Sequence, residues 1–131
     1  MVVAGIDAST TATGVSIMMD GKLIHHELIA IDSKKEKDAY KRIKEMLIRI
    51  CAILDKYQID KVYMEKAICK GGNVDITIKL AYLSGGMSLY CIQKDIEFSR
   101  SKQKTAGYDV GCYRCGRKLH KAWRKQHQTA P

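Results

Sequence analysis

Two carboxylates at the ends of apolar segments are the residues of this chain best suited to chemistry. Asp7 follows the apolar residues 2–6 directly, and the next residues, 8–14, form a turn rich in hydroxyl groups. Glu65 closes a second β-forming segment, residues 59–65. An acid on a strand beside such a turn suits a metal ion or a phosphate group, because strands hold ligands more rigidly than loops do. The alternative for Asp7 is a turn cap that bonds its own backbone.

The segments around these acids predict an α/β fold built on a mixed sheet. Asp20-Gly21 is a strong hairpin signal, and it lies between apolar segments typical of strands. We therefore expect a three-strand antiparallel meander, followed by strands that can pair in parallel. The predicted strands lie near 2–7, 14–19, 22–30, 59–65 and from 96 onward.

Two helices are predicted between these strands, with helices on both faces of the sheet. Apolar residues recur at helical spacing over about 34–57, and Ser33 with Glu36 forms a candidate capping box at its start. A second helix is predicted over about 74–94. In such a sheet, the first strand and the strand after the first helix can lie side by side.

That arrangement would bring Asp7 and Glu65 within a few ångströms of each other. Two carboxylates at such a distance repel each other unless a cation lies between them. Oxygen ligands favour Mg²⁺, or Mn²⁺, whereas zinc would normally come with His or Cys ligands. The pair therefore predicts a divalent-metal site.

The chain resembles the RuvC family of Holliday-junction resolvases, within the ribonuclease H-like superfamily, and is most similar to its short phage-type members. The order of the matching motifs, their spacing and their positions on predicted strands make the resemblance specific. It covers residues 1 to about 98. The matching residues are Gly5-Ile6-Asp7-Ala8-Ser9 with Thr13-Gly14, Tyr63-Met64-Glu65-Lys66-Ala67-Ile68, Lys70, Asn73 and Leu80-Ala81-Tyr82-Leu83-Ser84-Gly85-Gly86.

The resemblance implies a ribonuclease H-like fold and a homodimeric endonuclease that cuts branched DNA with two metal ions held by four acids. Asp7 would bridge the two ions, and Glu65 would bind one of them. Residues after the catalytic strand would face DNA phosphates, although an ordinary solvated face is the alternative. These residues are Lys66, Lys70, Asn73 and Lys79.

A patch of small residues on the second helix, Ala81, Ser84 and Gly85, falls where members of the family make their dimer contact. Packing within one molecule is the alternative. The sequence departs from the family after the last strand, because nothing matches the C-terminal helix that bears the remaining two acids. Beyond Glu97 the only carboxylate side chain is that of Asp109, a weak third catalytic candidate in a glycine-containing turn.

Charge divides the chain into a RuvC-like domain, residues 1–98, which is either complete or lacks the family's last helix, and a basic tail, residues 99–131. The first part has 14 Lys and Arg against 13 Asp and Glu, a balance of +1, whereas the tail has 9 against 1, a balance of +8. A basic tail attracts polyanions such as nucleic acid, unless it is merely solvated. A change this abrupt is also what a shifted reading frame or a recombined gene end would produce.

The tail has one metal-ligand pattern, in which Cys112 and Cys115 precede His120 and His127. This spacing allows a small zinc knuckle. A disordered basic tail and a helix near residues 117–127 are the alternatives.

No apolar run is long enough to span a bilayer and no signal peptide is evident, so we expect a cytoplasmic protein. Five scattered cysteines, an odd number, are typical of a reducing compartment. Two other functions remain open: a catalytically incomplete nucleic-acid-binding module of the same fold, and a nucleotide-binding fragment of the actin, chaperone and sugar kinase superfamily. The last would need two such domains, which 131 residues cannot supply.

Overall fold

The computed structural model describes residues 1–67 and 73–101, with Ser101 described by its backbone, and shows a five-stranded mixed sheet. The strand order is β3-β2-β1-β4-β5. β1 and β2 pair antiparallel, as do β2 and β3, whereas β4 is parallel to both β1 and β5. The predicted fold class and the pairing of β1 with β4 are therefore confirmed. The strands are β1 (Val2–Asp7), β2 (Ala12–Met19), β3 (Lys22–Ala30), β4 (Lys61–Glu65) and β5 (Glu97–Ser101).

The β2–β3 hairpin turns at the predicted dipeptide, Asp20-Gly21. Both residues have positive φ, 49° and 78°. This backbone matches the twist of the flanking strands, and few residue types other than Gly, Asn and Asp adopt it readily. The turn also sets the register of β2 against β3 next to it, where Met19 lies opposite Lys22.

Helix α1 (Ala39–Leu54) begins five residues later than the sequence suggested. Its N-cap is Asp38, whose Oδ1 accepts hydrogen bonds from the backbone N–H groups of Tyr40 and Lys41 at 2.9 and 3.4 Å. Residues 34–38 have no apolar side chain to bury, so packing does not support another helical turn there. The start predicted at residue 34 was therefore wrong.

Helix α2 (Val74–Lys94) matches its prediction. Asn73 caps its N-terminus by accepting a hydrogen bond from the Ile76 N–H at 3.3 Å. Asp95 ends it in the left-handed conformation, with φ of 55°. The chain then enters β5 directly, so α2 joins the carboxyl end of β4 to the amino end of the parallel strand β5.

Both helices pack on one face of the sheet and contact each other. Ala4 and Ile6 of β1 alternate inward, and their neighbours on β2 and β4 do the same. These positions join residues of both helices in one core, which includes Met46, Ile50, Leu83, Met87 and Cys91. The sequence predicted helices on both faces. Within residues 1–67 and 73–101 both helices cover the same face, the one on which the buried apolar residues of these strands lie.

No helix of the described residues is both long enough and apolar enough to cross a membrane. Cys51 and Cys91 are free thiols, one on each helix. Burial raises the pKa of the Cys91 thiol to about 11, so it stays protonated at neutral pH.

Candidate active site

The register of β1 and β4 places Asp7 beside Glu65. Ile6 pairs with Met64 in parallel, so the next residue of each strand lies at the same level. Neighbouring strands are about 4.8 Å apart. Because the side chains of Ile6 and Met64 enter the core, those of Asp7 and Glu65 leave the sheet on its opposite face. The two carboxylates therefore share one face and one edge, as the sequence predicted.

The strands on either side leave room around this pair. On the β2 side Asp7 is paired with Gly14, and a Cβ placed on that glycine would lie 3.9 Å from the Asp7 Cβ. On the β5 side Glu65 is paired with Ser101. Asp7 is exposed and Glu65 is half-buried. Both acids are therefore accessible from solvent.

The turn after Asp7 is closed by Ser9 and Thr13 rather than by the carboxylate. Ser9 Oγ accepts the N–H groups of Thr11 and Ala12, each at 3.2 Å. The buried Thr13 Oγ1 donates to the Ser9 carbonyl and accepts the Ser9 N–H, both at 3.3 Å. Among the described residues no hydrogen bond reaches the Asp7 carboxylate, so the turn-cap alternative does not describe its role.

The donor set fits one hard divalent cation. Magnesium is commonly bound in proteins by one or two carboxylates, with water and substrate phosphates completing its octahedron. Within residues 1–67 and 73–101, no cluster of three or more Asp, Glu, His or Cys is placed to bind a metal. A two-ion centre would thus need ligands beyond the two acids that these ranges supply.

A comparison with protein families finds a match to the model described as crossover junction endodeoxyribonuclease RuvC, over residues 3–110. The chain belongs to the RuvC family. The match includes both Asp7 and Glu65, and it extends nine residues past the end of β5. A comparison with curated protein sequences finds no match.

Solved structures share the RuvC fold at low sequence identity. Thermus thermophilus RuvC in complex with a Holliday-junction substrate aligns with a TM-score of 0.67 and 20% identity, over 79% of this chain and 65% of that one. Another T. thermophilus RuvC structure gives 0.64 and 21%, over 78% and 64%. The chain thus spans slightly less than two thirds of these relatives. Fowlpox virus resolvase with Holliday-junction DNA gives 0.53 and 15%, over 96% and 77%.

The structure describes three of the predicted DNA-facing residues, which follow Glu65 in the chain. Lys66 is exposed and follows Glu65 directly. Asn73 is occupied as the N-cap of α2, and the Lys79 ammonium forms an ion pair with Asp75, one helical turn before it. Their contact with DNA stays a prediction. Lys70 and the predicted tail residues Asp109, Cys112, Cys115, His120 and His127 lie outside the described residues.

The small-residue patch on α2 divides between two faces. Ser84 is buried within the molecule, whereas Ala81 and Gly85 are exposed. The neighbouring Gly86 faces α1, where an added Cβ would lie 2.6 Å from Leu47 Cδ1. Intramolecular packing therefore accounts for part of the patch, and the exposed part is free for another contact.

Arg42 is a buried residue near the site that the sequence analysis missed. Its guanidinium Nε donates to the carbonyl of Thr10, in the turn that follows Asp7, at 3.2 Å. The one signal in the sequence is its helical phase, because it precedes the buried Met46 by four residues. Arg42 stands among several lysines, which made a solvated position the natural interpretation.

Proposed function

We propose that this protein is a metal-dependent, structure-selective endonuclease that cleaves phosphodiester bonds in branched DNA such as four-way junctions. The adjacency of Asp7 and Glu65 on an open sheet face, in a chain of the RuvC family, is the observation that supports this proposal. The Thermus and fowlpox structures with Holliday-junction DNA support the choice of substrate. A cytoplasmic location, where such DNA is reached directly, is part of the proposal.

Asp7 and Glu65 are the residues that would hold Mg²⁺ or Mn²⁺. A divalent ion at this edge would supply the means to activate a water molecule and to stabilise charge on the reacting phosphate oxygens. The backbone of each acid belongs to a central strand of the sheet, which gives the two carboxylates defined starting positions for binding an ion. The predicted two-ion form requires further ligands, for which Asp109 is the weak candidate named from the sequence.

DNA would approach over the carboxyl edge of β4 and the start of α2. Lys66 lies next to Glu65 in the chain, and Lys70, Asn73 and Lys79 follow within 14 residues. Lysine and asparagine side chains bind phosphate oxygens without reading sequence, which suits recognition of a branched shape. Lys79 is half-buried and Asp75 is exposed, and ion pairs at the surface of a protein typically contribute about 1 kcal/mol or less, so releasing Lys79 from Asp75 would cost little.

Neutralising one acid tests the activity. We expect Asp7→Asn and Glu65→Gln each to abolish cleavage of a synthetic four-way junction in Mg²⁺ while junction binding is retained. The matched control is Asp95→Asn, at the far end of α2, where asparagine also tolerates the left-handed backbone. Cleavage by Asp7→Asn at the wild-type rate would refute the site assignment.

A catalytically incomplete DNA-binding module is the second candidate. It is favoured by the number of acids at the carboxyl ends of β1 and β4, since the described ranges supply two acids where the family's mechanism uses four. This function predicts junction binding that weakens steeply with salt, but no cleavage. Mg²⁺-dependent nicking by highly purified wild-type protein, absent from a parallel Asp7→Asn preparation, would exclude it.

We also propose that two copies associate through the exposed face of α2. Ile78, Leu89 and Ile92 are 44%, 56% and 73% exposed, and they flank Ala81 and Gly85 at helical spacing. An apolar stripe with small residues at its centre allows two helices to approach closely, as a symmetric dimer requires.

Charge on that stripe should shift the oligomeric state. We expect Leu89→Lys with Ile92→Lys to convert a dimer to a monomer in sedimentation velocity runs. Ile24→Lys, on the edge strand β3 at 41% exposure, is the control and should leave the dimer intact. A wild-type protein that sediments as a monomer at every concentration would contradict the dimer proposal.

A further inference from the structure

Arg42 is a buried cation that is compensated by backbone carbonyls. Its side chain leaves the first turn of α1, and the residue is 8% exposed. Nε donates to the Thr10 carbonyl at 3.2 Å, and Nη1 donates to the carbonyls of Glu36 and Lys37 at 2.7 and 3.0 Å. Among residues 1–67 and 73–101, no carboxylate forms an ion pair with it.

These three bonds join two loops that are far apart in the chain. Thr10 lies in the turn between β1 and β2, whereas Glu36 and Lys37 lie in the segment that leads into α1. A buried charge is costly unless hydrogen bonds satisfy it, so the position favours a side chain with several donors in a fixed plane. Arginine has this geometry, and the compact ammonium of lysine does not.

Within the described part of the chain, the turn that Arg42 holds has hydrogen bonds of its own and few to other segments. Ser9 and Thr13 close it from inside. The Ile31 N–H donates to the Thr11 carbonyl at 2.8 Å and attaches the turn to the end of β3. The bond from Arg42 to Thr10 is its link to helix α1.

We propose that Arg42 is a positioning residue for the active site, acting through the turn to fix the orientation of the Asp7 carboxylate. Asp7 is the last residue of β1, and its parallel neighbour Glu65 is the last residue of β4. The backbone that follows Asp7 is held by the turn instead of by the sheet. Catalytic groups must be held within about 0.5 Å of their productive geometry, so a loosened turn moves the carboxylate out of place.

The inference rests on the proposed endonuclease function, and Arg42→Lys tests it at two levels. At the level of chemistry, we expect single-turnover cleavage of a four-way junction to fall roughly 10- to 100-fold, with junction Kd changed less than twofold. The Mg²⁺ concentration for half-maximal rate should rise, because the ion would bind a less ordered carboxylate. Arg49→Lys is the control on the same helix, since Arg49 is exposed and pairs with Glu45, and it should match the wild type in every measurement.

At the level of structure, hydrogen exchange gives a readout that does not require activity. In Arg42→Lys, amide protons of residues 9–13 should exchange at least several-fold faster, while those of β4 keep their wild-type protection. The proposal would be overturned if both segments of the variant exchange at wild-type rates and the variant cleaves at the wild-type rate. If the wild-type protein does not cleave, the endonuclease function fails, while local exchange still decides whether Arg42 holds the turn.

Arg42→Gln is the second variant, because it keeps donor capacity without a charge to bury. We expect it to fold and to show the same local loss of protection. Global unfolding of both variants would overturn the positioning role in favour of a purely structural one. So would a loss of activity that follows the fall in melting temperature and disappears when the assay is cooled.

Discussion

At the scale of single residues, the site depends on two acids that are 58 positions apart in the chain and neighbours in the sheet. Their proximity has a consequence in the absence of metal, because two like charges on the same face of neighbouring strands, which are about 4.8 Å apart, raise the free energy of the folded state. If the pair binds a cation as proposed, the metal-free protein is less stable than the cation-bound one. The effect can be measured without any nuclease assay.

We predict that Asp7→Asn melts at a higher temperature than the wild type in EDTA, because one of the two repelling charges is gone. Addition of Mg²⁺ should raise the melting temperature of the wild type and leave that of Asp7→Asn unchanged, since binding to the folded state stabilises it by mass action. Differential scanning fluorimetry measures both effects. An equal response of the two proteins to Mg²⁺ would contradict a metal site at Asp7.

The adjacency of Asp7 and Glu65 was predictable because each residue stands at the end of a short apolar segment, a pattern that is local in sequence. Arg42 was not predictable in this way. Its partners are backbone carbonyls, which have no sequence signature, and they come from segments six and 32 residues away. Long-range bonds to the main chain are decided by the three-dimensional arrangement of loops, so they become visible in the structure alone.

At the scale of secondary-structure elements, the contact between α1 and α2 explains two adjacent glycines with different roles. An added Cβ meets nothing within 4 Å at Gly85, whereas at Gly86 it would lie 2.6 and 2.9 Å from the two methyl groups of Leu47. Alanine favours helix over glycine by about 1 kcal/mol, but overpacking costs about 1–3 kcal/mol. The balance between these effects differs at the two positions.

We therefore predict that Gly85→Ala is more stable than Gly86→Ala by about 1–3 kcal/mol in urea unfolding. Gly85→Ala should equal or exceed the wild type, since it gains helix propensity in open space. The two variants have the same composition and must be compared at one protein concentration. Equal stability would mean that Leu47 moves aside without cost.

The ends of the same helices are joined by a pH-sensitive contact. The Tyr90 hydroxyl donates to Asp55 Oδ1 at 2.6 Å, and the Lys94 ammonium lies 3.5 Å from the same oxygen. The bond from Tyr90, and then the charge of Lys94, hold the pKa of Asp55 below its ordinary value. A lowered pKa in the folded state adds stability above the ordinary pKa of about 3.9, and this stability is lost as the pH falls through the folded value.

We predict that Tyr90→Phe lowers the free energy of unfolding by about 1 kcal/mol at pH 7. The difference from the wild type should shrink below pH 4, where protonation removes the charge-assisted part of the bond. Urea unfolding at several pH values measures this. A constant difference at all pH values would indicate that only the packing of the ring matters.

Strands and helices were predicted correctly where the turn and cap residues agree with the packing of the core. The Asp20-Gly21 hairpin and the limits of α2 follow from turn and cap residues that lie in the right place. The predicted start of α1 was wrong because Ser33 and Asp38 are both good capping residues. Which of them caps the helix depends on whether the helical turn that follows can bury a side chain. The prediction of helices on both faces came from the order of strands and helices along the chain, while the burial of both described helices on one face depends on long-range packing.

At the scale of the whole molecule, charge is distributed unevenly. The sheet and its helices are nearly neutral, whereas residues 102–131 have eight Lys and Arg against one Asp. The chain enters this segment from Ser101, which pairs with Glu65 at the edge where the acids stand. Basic residues attached at that point would raise the local concentration of DNA near the site.

We predict that replacing Lys118, Lys121, Arg124 and Lys125 by glutamine weakens junction binding at low salt and makes it less salt-dependent. The logarithm of the association constant falls linearly with the logarithm of the salt concentration. For every phosphate that is no longer neutralised by one of these side chains, this slope should become less negative by about 0.9. Fluorescence anisotropy between 50 and 300 mM KCl would measure the slopes of the variant and the wild type. Unchanged slopes would show that these four residues do not contact the DNA backbone.

The amino terminus lies at the opposite end of β1 from the proposed DNA edge. The Met1 ammonium pairs with Asp20 at 2.8 Å beside the β2–β3 turn, and six residues of extended chain, about 20 Å, separate it from Asp7. A fluorophore or surface anchor attached at Met1 would therefore lie far from the edge at which DNA binding is proposed. Single-molecule experiments on tethered protein can use this end, and they would observe junctions entering the site without obstruction by the tether.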